Sequence, residues 1–162
     1  MPVNIREFVP DDAVSVNALA VRAFEQFQNA YDHWPAFKAR IAGMSSLAGT
    51  GDLLVAEIDR QIVGAVAYIG PGLPKADFFR SEWPIMRMLV VSPDFRGQGI
   101  GRALTEACLQ HARRDKAPVL ALHSSEIMQV AVLMYRRMGF QRVAQAPSIH
   151  GVEYGVYLKK ID

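Results

Sequence analysis

The chemistry with the clearest address lies in residues 96–102, Arg-Gly-Gln-Gly-Ile-Gly-Arg. Three of the chain's 12 glycines fall there, just after an apolar run that ends in Val90-Val91-Ser92-Pro93. Glycine inside a helix costs roughly 1 kcal/mol against alanine, so a compensating role is expected. A strand ending at Val91 and a helix beginning near Gly99 leave several backbone N–H groups without partners at the helix start. The helix dipole adds partial positive charge there, and glycine lets a ligand approach the backbone closely. With Arg96 and Arg102 on either side, this is a site for an anion such as a phosphate or pyrophosphate. Each charge-assisted bond contributes roughly 1.5–3 kcal/mol, enough to offset the glycine penalty. Two phosphate loops do not fit. A P-loop needs Lys and Ser or Thr after its last glycine, and both are missing after Gly101. The dinucleotide loop needs G-x-G-x-x-G, whereas these glycines are spaced G-x-G-x-G.

The elements that must position this segment can be read from hydrophobic period. Val3 to Phe8 alternates as a half-buried strand. Asp11 and Asp12 offer an N-cap to a helix whose stripe is Ala13, Val16, Ala20, Ala23, Phe24 and Phe27. A second, less regular helix is expected within Trp34 to Met44. Two branched apolar runs, "LLVAEID" and "QIVGAVAYI", flank Asp59-Arg60 and predict a hairpin. A long polar and aromatic loop, "GPGLPKADFFRSE", leads to "PIMRMLVV", which is more apolar than alternating and reads as a central strand. After the glycines, Ile100, Leu104, Ala107, Cys108 and His111 mark one helix face. "PVLALHS" predicts a buried strand, Val130 to Met138 a helix stopped by Gly139, and "FQRVAQA" and "VEYGVYLKK" two final strands. The order is β-α-α-β-β-β-α-β-α-β-β, which predicts a layered α/β (α+β) fold with helices packed on a mixed sheet.

Composition narrows the function classes. The 162 residues, 51% hydrophobic and 21% charged, suit one folded domain over residues 1–162 with no linker or repeat. A net charge of +2 gives no argument for a nucleic-acid or membrane surface. The lone cysteine, Cys108, excludes an intrachain disulfide and a multi-cysteine metal site, and no metal is expected. Its place on the apolar helix face makes it a core residue. The N-terminus has acidic residues and no apolar stretch of signal-peptide type, and no run approaches the ~18 apolar residues that span a bilayer. A cytoplasmic protein is expected.

The segment "LVVSPDFRGQGIG" resembles the acetyl-CoA-binding signature of the GNAT N-acetyltransferase superfamily, a V-x-P strand end followed by R/Q-x-x-G-x-G/A opening a helix. A second family element, A-x-x-L-Y-x-x-x-G-F, is matched by Ala131, Tyr135, Gly139 and Phe140, with Met134 in place of leucine. The predicted element order also matches, so the resemblance covers nearly the whole chain. It implies a mostly antiparallel sheet of about seven strands flanked by about four helices, with acetyl-CoA as cosubstrate. The backbone of Leu89, Val90 and Val91 would pair with the pantetheine arm. The amides of Arg96, Gly97, Gln98, Gly99, Ile100 and Gly101, with Arg102, would hold the pyrophosphate. Tyr135 would stand near the thioester sulfur as general acid or hydrogen-bond donor. Two positions depart from many relatives: Met128 stands where an asparagine contacts pantetheine, and Ile85 where a glutamate base lies. Dimers are common in the family, although no residue here argues for a homodimer.

The implied reaction is direct acetyl transfer to an amine of a small molecule or peptide, and that amine must be neutral to attack. Deprotonating a lysine-like amine of pKa ~10.4 costs roughly 4.6 kcal/mol at pH 7, against about 1.4 kcal/mol for an α-amine near ~8. With no glutamate at position 85, Glu82, His123 and Glu126 are the candidate bases, directly or through water. Each also has a structural reading, as a solvated loop residue, a satisfied histidine and a helix N-terminal acid respectively. Phe27, Tyr31, Trp34, Phe78 and Trp83 lie where the family builds its acceptor pocket, and Arg87 faces either the acceptor or solvent. Two further readings stay open: an acyl-CoA-binding module without turnover, and a structural domain that leaves the glycines unexplained.

Overall fold

Asp59 and Arg60 take φ of 50° and 68°, the paired positive values of a type I′ turn. The turn closes a hairpin between β2 (Asp52–Ile58) and β3 (Gln61–Ile69), as the sequence predicts. The structure, a computed structural model, describes residues 2–162. It adds β1 (Asn4–Glu7) at one edge, β4 (Ile85–Val91) in the centre, then β5 (Val119–Ser124), β6 (Gln141–Ile149) and β7 (Val152–Lys160). The seven strands form one sheet in the order β1-β2-β3-β4-β5-β7-β6. Every neighbouring pair is antiparallel except β4 and β5.

Four helices cover the two faces: α1 (Ala13–Phe24), α2 (Trp34–Ile41), α3 (Ile100–Arg114) and α4 (Gln129–Arg137). The α1 stripe buries Val16, Leu19, Ala20 and Ala23 against Val55, Ala65, Ala67 and Val90 of the sheet. Opposite, Ile100, Leu104, Cys108 and Ala112 of α3 pack on Leu54, Val66, Met86 and Leu120. Tyr135 and Val132 of α4 join that second layer. The second helix, Trp34–Ile41, falls within the expected span, and a 3-10 segment, Met44–Gly49, follows beyond Gly43, a poor helix former.

Asp12 stands at the α1 N-terminus but makes no side-chain cap bond to that helix. Its carboxylate instead accepts Arg6 Nη1 at 2.8 Å, Arg6 Nη2 at 3.0 Å and the Val9 amide at 2.9 Å. This fork pins the chain between β1 and α1, and the Arg6 guanidinium holds the carboxyl below the usual carboxylate range.

Gly64 of β3 sets how closely α3 lies on the sheet. A Cβ there would stand 2.8 Å from Ile100 Cγ2, 2.9 Å from Leu104 Cδ1 and 3.2 Å from the Val90 carbonyl. Gly64→Ala is expected to lose about 1–3 kcal/mol through overpacking, read as a lower urea midpoint at unchanged slope.

Candidate active site

The β4–β5 pair is held by a single register position, Ile85 opposite Ala121, with Ala121 N–H donating to the Pro84 carbonyl at 3.0 Å. Beyond it the strands separate, and the β4 backbone from Met86 to Val91 has no β5 partner in register. A bulge adds to the opening. Ala65 faces Val90 and Ala67 faces Arg87, so two steps of β3 oppose three of β4. The extra residue is Met88, whose φ of 56° is costly for a non-glycine, on the order of 1–3 kcal/mol. Arg87 lines the cavity beside Met88, which packs against the α1–α2 layer.

A cavity of about 730 Å³ runs through this gap. On the α1–α2 side it is lined by Phe24, Phe37, Arg40, Met44, Phe78, Phe79, Arg87, Met88, His123 and Tyr154. On the α3–α4 side Leu89, Leu122, Ala131 and Tyr135 reach it, and Met128 joins from the α1–α2 layer. Ile85 and Met128, the two departures from the family pattern, both contribute apolar surface to its wall.

Tyr135 is only 5% exposed. Its hydroxyl has no hydrogen-bond partner in the protein, yet no fully buried side-chain oxygen or nitrogen among the described residues is left without one. The hydroxyl therefore keeps some solvent access, and Tyr135 lines the cavity. Burial pushes its pKa well above the usual tyrosine range, so it keeps its proton at physiological pH.

His123 is ringed by Phe78, Phe79 and Tyr154 at centroid distances of 5.4, 5.9 and 5.2 Å. Burial, then the positive charges of Arg87 and Arg40, lower its pKa to about 4. Its imidazole is neutral at pH 7. Taking a proton from an α-ammonium of pKa ~8 would be uphill by roughly 5 kcal/mol, so it is a poor base there.

The structure does not bring the two acids to this cavity. Glu82 is exposed in the loop between β3 and β4 and faces Arg80 at 3.7 Å. Glu126 pairs with Arg136 at 2.8 Å and accepts the Tyr157 hydroxyl at 3.0 Å, away from the cavity. Of the expected aromatic wall, only Phe78 lines it. Tyr31 is buried against Phe37 at 4.2 Å and hydrogen-bonds the Tyr154 hydroxyl, while Trp83 sits under Arg80. Phe27 and Trp34 pack beside the α1–α2 core without reaching the cavity. The residues the sequence reading missed are Phe24, Phe37, Phe79, Tyr154, the Met88 bulge and Arg40. Phe37, Arg40 and Ile41 stand at i, i+3 and i+4, so an arginine inside an apolar helical stripe was the available signal.

At the end of β4, Ser92–Phe95 turns into α3. Ser92 N–H bonds back to the Val63 carbonyl at 2.8 Å, and Ser92 Oγ accepts the Asp94 amide at 3.3 Å. Gly97 and Gly99 have φ of 75° and 78°, the left-handed region that favours glycine. Gly99 is the N-cap of α3 with no side-chain cap bond, and the first helical bond runs from Ala103 N–H to its carbonyl at 3.0 Å. The amides of Ile100, Gly101 and Arg102 precede that bond and have no intrahelical acceptor. Gly97, Gln98, Gly99 and Arg102 are exposed around them. Arg96 is exposed too, and its guanidinium reaches Gln26 Oε1 at 3.2 Å. Leu89 lines the cavity, whereas Val90 is buried and Val91 half-buried, so these last two offer only backbone.

Comparison with known proteins fits this geometry. The acetyltransferase (GNAT) domain family aligns with residues 49–142, more than half of the chain. N-acetyltransferase 8F1 of Rattus norvegicus is 38% identical over 62% of this chain and 44% of its own length. Mycothiol acetyltransferase of Cellulomonas flavigena is 32% identical over 89% of this chain and 47% of its own. The chain thus spans less than half the length of these relatives. Ard1 from Thermoplasma volcanium superposes with a TM-score of 0.78 at 19% identity, over 100% of this chain and 99% of that one. YncA from Salmonella typhimurium, solved with its cofactor acetyl-CoA, superposes at 0.69 and 17% identity, covering 100% and 95%. This chain belongs to the GNAT acetyltransferase family, and its sheet and four helices are that family's fold.

Gly97→Ala and Gly99→Ala are each expected to lose about 1–2 kcal/mol in chemical denaturation, because alanine is forced to positive φ. Gly101→Ala should be neutral or slightly stabilising. Its φ is not positive, and a Cβ would meet Met134 Sδ at 3.6 Å and Val91 Cγ2 at 3.7 Å, ordinary contacts.

Proposed function

We propose that this protein is an acetyl-CoA-dependent N-acetyltransferase acting on an amine by direct attack in a ternary complex. The observation that carries the reading is the unpartnered, protonated hydroxyl of Tyr135, a residue that lines the cavity where two strands have parted. The residues present fit the cosubstrate. Free amides at the α3 N-terminus suit a pyrophosphate, and the unpaired β4 edge over Leu89–Val91 suits an amide-bearing pantetheine arm laid down like a strand. When bound, acetyl-CoA supplies an activated acetyl group: one N–C bond forms, one C–S bond breaks, and the proton lost by nitrogen balances the one gained by the thiolate.

Each protein group has a bounded task. The Tyr135 Oη donates a hydrogen bond to the sulfur leaving group; a thiolate whose thiol has pKa ~8.5 cannot readily strip a proton from a tyrosine of ~10 or above, so stabilisation precedes full transfer. Neutral His123 accepts a hydrogen bond from the attacking amine and orients it. Arg40, Arg87 and the apolar walls disfavour an ammonium in the cavity, so the amine sheds its proton to solvent on entry. No carboxylate base is required.

Tyr135→Phe is expected to lower kcat by about 10–1,000-fold, using the range for a lost proton or oxyanion donor, with acetyl-CoA affinity unchanged by calorimetry. Full turnover at every pH would remove Tyr135 from the chemistry. The His123 pKa of about 4 leaves its ring neutral from pH 6 to 9. kcat/KM should therefore rise with pH as the acceptor amine deprotonates, and His123→Gln should keep the shape of that profile.

A further inference from the structure

Every formally charged side chain lining the cavity is cationic. Arg40 comes from α2, Lys75 from the β3–β4 loop and Arg87 from β4, and no Asp or Glu lines it. Lys75 already has partners, since its Nζ donates to the carbonyls of Gly70, Leu73 and Ser81 at 3.2, 2.8 and 3.0 Å. Its work is to hold the loop. Arg40 and Arg87 differ: among the described residues, neither forms an ion pair with any carboxylate. Their charges nevertheless reach each other and the His123 ring, and walls that strip water from Arg87, together with Arg40, lower its pKa. Both guanidiniums keep substantial solvent access, and an anion between them would relieve their mutual repulsion. Much of the remaining surface is apolar, from Phe24, Phe37, Phe78 and Phe79 with Met44 and Met88, while Ser46, Thr50, Ser124 and Ser148 add hydroxyls.

Resting on the N-acetyltransferase reading above, we propose that the acceptor is a free α-amino acid or close analogue, its carboxylate held by Arg87 and Arg40 and its apolar or aromatic substituent lodged among the four phenylalanines. The α-amine then lies one carbon from the carboxylate. Its own carboxylate favours the ammonium form, so its deprotonation at pH 7 costs more than the about 1.4 kcal/mol of a peptide α-amine but less than the roughly 4.6 kcal/mol of a lysine-like amine. Polyamines and lysine side chains would bring further positive charge to an all-cationic lining.

The test pairs binding with turnover. Calorimetry compares 3-phenylpropanoate with 3-phenylpropan-1-ol, which share a ring and chain and differ in the carboxylate. The acid should bind at least tenfold more tightly, and Arg87→Gln and Arg40→Gln should each erase most of the difference without altering acetyl-CoA affinity. Thiol release at saturating acetyl-CoA then compares L-phenylalanine with 2-phenylethylamine, L-phenylalanine amide, spermidine and a peptide with N-terminal phenylalanine. A kcat/KM at least tenfold higher for the free amino acid, lost through KM in Arg87→Gln, supports the assignment. Equal or better turnover of spermidine, 2-phenylethylamine or the peptide overturns it, as does equal binding of the acid and the alcohol. If no amine is acetylated, or acetyl-CoA fails to bind, the enzyme reading falls, while the acid–alcohol comparison still decides whether the arginines form a carboxylate site.

Discussion

The separation of β4 and β5 is the constraint on which the site depends. Among the described residues it is the only parallel pair in the sheet, held at one register position between Ile85 and Ala121. In a continuous sheet the β4 backbone would be spent on β5, and the two helical layers would be sealed from each other. With the strands apart, Tyr135 from the α4 side and His123, Arg40 and Arg87 from the α1–α2 side line one cavity. The Met88 bulge widens the effect by upsetting the alternation of β4 where the strands part. Strain at Met88 is thus stored where the backbone must break the sheet's regularity, which is where functional sites commonly store it.

The electrostatics follow from that geometry. Unpaired amides at the α3 start and two unpaired guanidiniums in the cavity give the site positive character at both ends, with apolar walls between. In such surroundings a group that gains charge by protonation is held neutral, and one that would lose a proton only by burying its anion keeps it. His123 and Tyr135 obey these two rules, one lowered to about 4 and the other raised. On the proposed reading, the same field favours the uncharged form of an entering amine, a task a carboxylate base would otherwise have.

What was legible in the sequence was what local residue order dictates. Gly97 and Gly99 required a left-handed backbone, Tyr135 sat in a helix ended by Gly139, and branched runs marked the strands. The element order followed, and with it the sheet and helices. Arg40 left only a faint local trace, an arginine in an apolar helical stripe, and the β4 bulge depends on how distant segments meet, a register no single stretch encodes. Glu82 was selected for its chemical type and position, but it lies in a loop whose path is set by Lys75 bonding three carbonyls rather than by any periodic pattern. The same loop carries Phe78 and Phe79 inward and leaves Trp83 beneath Arg80, a division that composition alone cannot make.

The three glycines at 97, 99 and 101 turn out to serve two purposes. Gly97 and Gly99 supply positive φ, and with open space around their Cβ positions their contribution is backbone conformation and exposed N–H groups. Gly101 has ordinary helical geometry and lies near Met134 of α4, Val91 and Leu89 of β4. It sits at the joint of three elements, within ordinary contact distance of each. Gly64 is the glycine whose missing side chain the packing needs, because it lets Ile100 and Leu104 approach β3. A strand end, a helix start and the helix bearing Tyr135 thus meet at one joint. The spacing between the free amides at the α3 start and Tyr135 is therefore set by the packing of these elements.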